Sequence, residues 1–126
     1  KKKYNFDELN SDNYPLNTYL LDDYIDENNI TKIDLLKIDT QLFEDKVLKG
    51  AKKTIEKKII DFIELEIHFS SAYSKNYMTI HEIEEIIGKH YRLVSINYFD
   101  GVLNVFDDNG NMFTDFLYAK KSLVNF

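Results

Sequence analysis

Three ionisable side chains at alternate positions of one segment have the types and spacing best suited to chemistry. They are Glu64, Glu66 and His68, and side chains two residues apart in a strand share one face. Asp39 ends an earlier apolar run, Ile33–Ile38. Ligands of open parallel sheets bind beyond the carboxyl ends of the strands. Asp39, Glu66 and His68 are therefore the first candidates for catalytic residues.

A carboxylate or an imidazole at such a position can act as a general base or as a metal ligand. If the face is covered, two unpaired carboxylates carry a large desolvation cost, so each needs a cation, a hydrogen-bond donor, a metal or water. The alternative is a solvated face whose carboxylates pair with lysines of a neighbouring helix. The sequence leaves both interpretations open.

A metal site is the weaker form of this hypothesis. Asp39, Glu66 and His68 could ligate one ion together, but the chain has no cysteine and no HExxH spacing. We expect no metal, and a metal-dependent hydrolase built on these three residues stays as an alternative.

Composition limits the class of protein. The chain has 126 residues, of which 44% are hydrophobic, and a net charge of −6, which fits one folded domain. The negative charge opposes nucleic-acid binding. The sequence has no apolar run of membrane-spanning length and no signal peptide, so we expect a cytoplasmic protein without membrane partners. It begins at Lys1 rather than Met, so the initiator was removed or this is a piece of a longer protein.

The candidate residues depend on a predicted order of helices and strands. Residues 1–15 form an irregular lead-in, and the periodicity of apolar residues then predicts a helix over 18–28, a buried strand over 33–38, a helix over 43–57 and a strand over 59–69. A polar loop over 70–77 precedes a helix that starts with a capping box of Thr79 and Glu82. Strands follow over 91–99, 102–106 and 116–120, with turns at 100–101 and 108–111.

This order predicts an α/β fold. A helix between two strands favours a parallel crossover connection, whereas short turns require antiparallel pairing. We therefore expect parallel strands with helices, followed by antiparallel C-terminal strands at the edge of the sheet.

Several segments together resemble one family. The stretch "LDDYIDENNI" at 21–30, "IDLLKID" at 33–39, Glu44 and "VLKGA" at 47–51 are similar to the C-terminal half of FkbM-type S-adenosylmethionine-dependent methyltransferases. Segments 64–67 and 115–120 resemble the next strand and the closing antiparallel strand of that family. The resemblance runs over most of the chain.

The resemblance implies that residues 16–126 form the second half of a Rossmann-like methyltransferase fold. It implies S-adenosylmethionine as cofactor, bound through Asp39 and Glu44, and a methyl transfer to a hydroxyl of a sugar or other small metabolite. Glu66 would lie beside this acceptor, and Asp39, Glu66 or His68 would take the proton. A homo-oligomer is compatible with this interpretation.

Two features keep a second function open. Leu42 stands where the family pattern has glycine, and none of the four glycines lies in a strand-to-helix turn that would cradle a nucleotide. The alternative is a non-catalytic interaction module that retains the half-fold. Such a module predicts a homodimer, or another partner, that covers the exposed edge of the sheet.

Overall fold

The computed structural model describes residues 17–68, 78–97 and 113–124, and within these ranges it confirms a mixed α/β fold. The elements are α1 Leu21–Glu27, β1 Ile33–Ile38, α2 Glu44–Gly50, α3 Lys52–Lys57, β2 Ile60–His68, α4 Ile80–Ile87, β3 Tyr91–Asn97 and β4 Phe113–Lys120. A short 3-10 turn, Lys121–Leu123, follows β4. The predicted lead-in, Phe69, the loop over 70–77, the strand over 102–106 and both turns lie outside the described residues.

The strands form one sheet in the order β1-β2-β4-β3. β1 pairs with β2 in parallel, as predicted, and β4 is antiparallel to both of its neighbours. The antiparallel strands β4 and β3 lie together at one side of the sheet, as predicted, and β3 is the outer strand there among the described residues. The last strand, β4, lies between β2 and β3, so β2 has a neighbour on each side: its residues Ile60–Leu65 pair with β1, and Phe62–His68 pair with β4.

The first strand is less buried than predicted. Ile38 is buried, but Leu35 is 51% exposed. β1 is one of the two outer strands among the described residues, and one of its faces is uncovered. The apolar run of β1 therefore predicts that these residues form a strand, but it does not predict where this strand lies in the sheet.

The predicted helix over 43–57 is two helices, which meet at Ala51 with φ −108° and ψ 9°. Asp22 of α1 accepts hydrogen bonds from the backbone N–H groups of Lys53 and Thr54, at 3.0 and 2.8 Å. A carboxylate thus satisfies donors that the first turn of a helix leaves unpaired. This contact stabilises the start of α3 as a separate helix and connects α3 to α1.

The core lies between the helices and one face of the sheet. Ile63, Leu65 and Ile67 of β2 are buried on this face, and they share one cluster with residues of α2, α3 and α4. The helix α4 begins with the predicted capping box, since Thr79 and Glu82 bond each other's backbone N–H groups. Phe43 and Ile80, predicted to belong to buried helix stripes, are exposed because each lies at the start of its helix. None of the helices in the described ranges has the length and apolar character needed to cross a membrane.

Candidate functional site

The opposite face of the sheet carries the ionisable side chains. Glu64 and Glu66 of β2 lie on this face beside Lys37 of β1 and Asp115 of β4, and the register pairs Lys37 with Glu64 and Glu66 with Asp115. The side chains of Glu64, Glu66 and Asp115 are 20%, 12% and 21% exposed. These groups are partly shielded from water, so each interacts strongly with its neighbours.

Asp39 and Glu66 meet through a residue that the sequence did not identify as a candidate. The side-chain nitrogen Nε2 of Gln41 donates to Oδ1 of Asp39 at 3.1 Å and to Oε2 of Glu66 at 2.9 Å. Both carboxylate oxygens therefore lie within hydrogen-bond distance of a single nitrogen. The structure brings together two of the three predicted catalytic residues at the carboxyl ends of adjacent parallel strands.

His68, the third predicted residue, joins the same group. Its Nε2 lies 3.0 Å from Oε2 of Glu66, and its side chain is only 5% exposed. The imidazole ring lies against the ring of Phe113 on β4, with 5.7 Å between centroids. His68 is thus a buried neighbour of Glu66 rather than a solvated side chain.

The surroundings of Glu66 favour its protonated form. Burial raises the pKa of the Glu66 carboxyl above its ordinary value, and the negative charges of Asp39 and Asp115 add to this, whereas His68 acts against it. Burial likewise raises the pKa of Asp115, with contributions from Glu64 and Asp39 against that of Lys37. Perturbed carboxyl groups in one cluster are a mark of functional sites.

Glu64 differs from Glu66 because it has a cation. Nζ of Lys37 lies 3.0 Å from a carboxylate oxygen of Glu64 and 4.0 Å from Asp115. The solvated-face alternative predicted pairing with helix lysines, and this was wrong for Glu64, whose partner comes from the adjacent strand. The helix lysines pair elsewhere, for example Lys49 with Asp45 and Lys57 with Asp26.

Glu44, predicted to bind the cofactor, is buried at the start of α2. Its Oε1 accepts hydrogen bonds from the backbone N–H and from the hydroxyl of Thr40, at 2.9 and 3.0 Å. These contacts fix the segment between β1 and α2 from within. The role of Glu44 in binding a cofactor stays a prediction. In the structure, Glu44 stabilises the loop that follows Asp39.

That loop contains two consecutive residues in the left-handed region. Gln41 has φ 50° and Leu42 has φ 78°, a conformation that costs about 1 to 2 kcal/mol for residues other than glycine. Glycine, which the resemblance implies for position 42, adopts this backbone conformation without steric cost. Leu42 retains the backbone conformation of a glycine although it carries a side chain.

Several carboxylates share this face, but the described residues hold no group of three or more potential ligands in a geometry suited to a metal ion. Asp39, Glu66 and His68 meet through the amide of Gln41 and through one oxygen of Glu66, not around a common point. The donor set therefore gives no support to the metal-dependent alternative. Gln41 and Asp115 were missed because a polar side chain near a strand end has no distinctive local pattern.

Comparisons with known proteins bear on the chemistry of this face. The family model described as "Methyltransferase FkbM domain" matches residues 3–111. Searches of curated proteins and of solved structures found no match. The match extends over α1 to β3 and includes every predicted site residue, and β4 with Asp115 lies beyond it.

Proposed function

Because this chain belongs to the FkbM methyltransferase family, we propose that it takes part in methyl transfer from S-adenosylmethionine to a hydroxyl of a sugar or other small metabolite. We further propose that it supplies the C-terminal half of the domain. The observation that carries the proposal is the convergence of Asp39, Glu66 and His68 at the carboxyl ends of β1 and β2. In parallel sheets this is where ligands bind.

The charge of this face fits such a donor. S-adenosylmethionine supplies an electrophilic methyl group on a positively charged sulfur. Asp39, Glu64, Glu66 and Asp115 outnumber the one cation among them, Lys37, and a negative field attracts a cation. The exposed carboxylate of Asp39 would hold the donor at the end of β1. The described residues thus provide the charge, while a glycine-rich cradle is not among them.

Glu66 is the best-placed base. Methyl transfer to a hydroxyl forms a carbon–oxygen bond, breaks a carbon–sulfur bond and releases the hydroxyl proton. The Glu66 carboxylate can take this proton, since burial raises its pKa toward the working range of a general base. His68 contacts Glu66 through Nε2 and Oε2, and in the tautomer that carries a proton on Nε2 it donates a hydrogen bond that orients the carboxylate.

The test is methyl transfer with isotopically labelled S-adenosylmethionine and a panel of sugars and small hydroxyl compounds, using the intact protein with any segment that precedes this chain. We expect label in at least one acceptor and a loss of about 10²-fold or more in rate for Glu66→Gln. The matched control is Glu64→Gln, which removes a neighbouring carboxylate that is neutralised by Lys37. Equal rates for the native protein and for Glu66→Gln would contradict the assignment of the base.

The second candidate is the non-catalytic interaction module, and one observation favours it. Leu35 and Phe62 are register partners on β1 and β2 and are both exposed, at 51% and 37%. Apolar side chains beside an outer strand favour association. This candidate predicts a dimer in analytical ultracentrifugation that dissociates in Leu35→Lys, together with no binding of S-adenosylmethionine.

A further inference from the structure

We propose that Gln41 is a positioning residue of the site, and that the left-handed turn at Gln41 and Leu42 serves to place its amide between Asp39 and Glu66. This inference rests on the proposed function, because it assigns a role within the same site. It goes beyond that function because Gln41, although it lies within the matched residues 3–111, is not one of the candidate catalytic or cofactor-binding residues.

The first argument is the contact itself. The NH₂ group of Gln41 can donate one N–H to each of two carboxylates only if it lies between them, and its Nε2 makes both contacts at ordinary hydrogen-bond distances. The amide can donate to both carboxylates but carries no charge. It therefore holds two like charges together without neutralising the negative field that a cationic ligand would meet.

The second argument is the backbone. Residues other than glycine adopt positive φ rarely, and such strain persists only where the surrounding structure enforces it. Here two such residues are adjacent, with φ 50° and 78°. Glu44 stabilises the turn, because its buried carboxylate accepts hydrogen bonds from both the backbone N–H and the hydroxyl of Thr40, the residue before Gln41. The turn directs the chain so that Gln41 reaches β2.

The third argument is the consequence for Glu66. Its Oε2 is also the atom that lies 3.0 Å from Nε2 of His68, so two side chains converge on one carboxylate oxygen. A hydrogen bond donated to a carboxylate favours its charged form. Gln41 therefore opposes the effect of burial and of Asp39, and it keeps Glu66 available as a proton acceptor.

The experiment compares Gln41→Met and Gln41→Arg with the native protein. Met has a similar length but no donor, whereas Arg retains a donor and adds a positive charge. The readout is the titration of the Glu66 carboxyl followed by ¹³C NMR, which does not depend on catalysis. We expect the pKa of Glu66 to rise by about one pH unit in Gln41→Met and to stay at or below the native value in Gln41→Arg. The pH profile of methyl transfer should move in the same directions.

Two results would overturn the inference. One is a Glu66 titration that is the same in the native protein and in both variants. The other is a shift of equal sign in both variants, which would show that Gln41 only maintains the loop. If the pKa of Glu66 shifts in opposite directions in Gln41→Met and Gln41→Arg but the native protein does not bind S-adenosylmethionine, the positioning role of Gln41 stands. The proposed function is then contradicted instead.

Discussion

Glu66 and Asp115 lie directly opposite each other on β2 and β4, so that two partly buried carboxylates share one face of the sheet. Like charges opposite each other across a strand pair destabilise the folded state. Burial raises the pKa of both groups, and each is affected by the charge of Asp39. An arrangement that costs stability is more easily explained by function than by folding.

The first prediction concerns Glu66 and pH. Because its pKa is raised in the folded protein, the folded state binds the proton more tightly than the unfolded state does. The contribution of Glu66 to stability is then greatest at low pH and falls as pH rises from the ordinary value of 4.5 through the raised value. Glu66→Gln should therefore increase the free energy of unfolding at pH 7 and leave it nearly unchanged at pH 3. Urea unfolding across this pH range is the measurement. A decrease in stability at pH 7 would contradict the assignment.

The contribution of Asp61 to stability should depend on pH in the opposite direction to that of Glu66. Hydrogen bonds from Lys120 and Lys32 lower the pKa of Asp61 below its ordinary value of 3.8. Its contribution to stability is present above that value and is lost as pH falls through the lowered one. Asp61→Asn should thus be less stable than the native protein at pH 7, with a difference that disappears in acid. The same unfolding series measures this, and a constant difference at all pH values would refute it.

The third prediction concerns the join between α1 and α3. The buried Asp22 accepts hydrogen bonds from the N–H groups of Lys53 and Thr54 and from the Thr54 hydroxyl. Asp22→Ala leaves these donors unsatisfied, so it should lower the free energy of unfolding by about 2 kcal/mol. The matched control is Asp23→Ala, since Asp23 is exposed on the same helix and should change stability by less than about 0.5 kcal/mol. Equal effects of the two substitutions would contradict the role of Asp22.

The fourth prediction compares two tyrosines that are both fully buried. The hydroxyl of Tyr91 donates to the carbonyl oxygen of Ile60 at 3.0 Å, whereas that of Tyr118, near the Glu84 carboxylate, has no hydrogen bond of ordinary geometry within the described residues. Burial, and then the charge of Glu84, raises the pKa of Tyr118 far above its usual range. Tyr91→Phe should cost about 1 kcal/mol, and Tyr118→Phe should be neutral or stabilising. Thermal unfolding of both variants checks this, and a larger loss in Tyr118→Phe would contradict it.

Much of the fold was predictable because local patterns determine local structure. The strand Ile33–Ile38 has the predicted bounds, and the capping box of Thr79 and Glu82 marks the start of α4. The break at Ala51 was not predictable, because it depends on Asp22 from a different helix. The exposure of Leu35 and the position of β4 were missed for a related reason. The order of strands in a sheet is a long-range property that periodicity does not encode.

The site was predictable in part. The alternation along β2 identified Glu66 and His68, and the end of β1 identified Asp39. The structure places Asp39 and Glu66 at one amide, and it places His68 against Glu66. The amide itself was not predictable, because Gln41 reaches Glu66 only through the left-handed turn that it begins. Asp115 was likewise missed as a partner of Glu66, since their pairing depends on the register between β2 and β4.

The most direct test of the central claim is calorimetric titration of S-adenosylmethionine into the intact protein, including any segment that precedes this chain. The comparison is Asp39→Asn, which keeps the size of the side chain and removes its charge. We predict one binding site in the native protein and at least about tenfold weaker binding in the variant, as expected when a charged hydrogen bond is lost. Absence of binding by the native protein would contradict the proposed function.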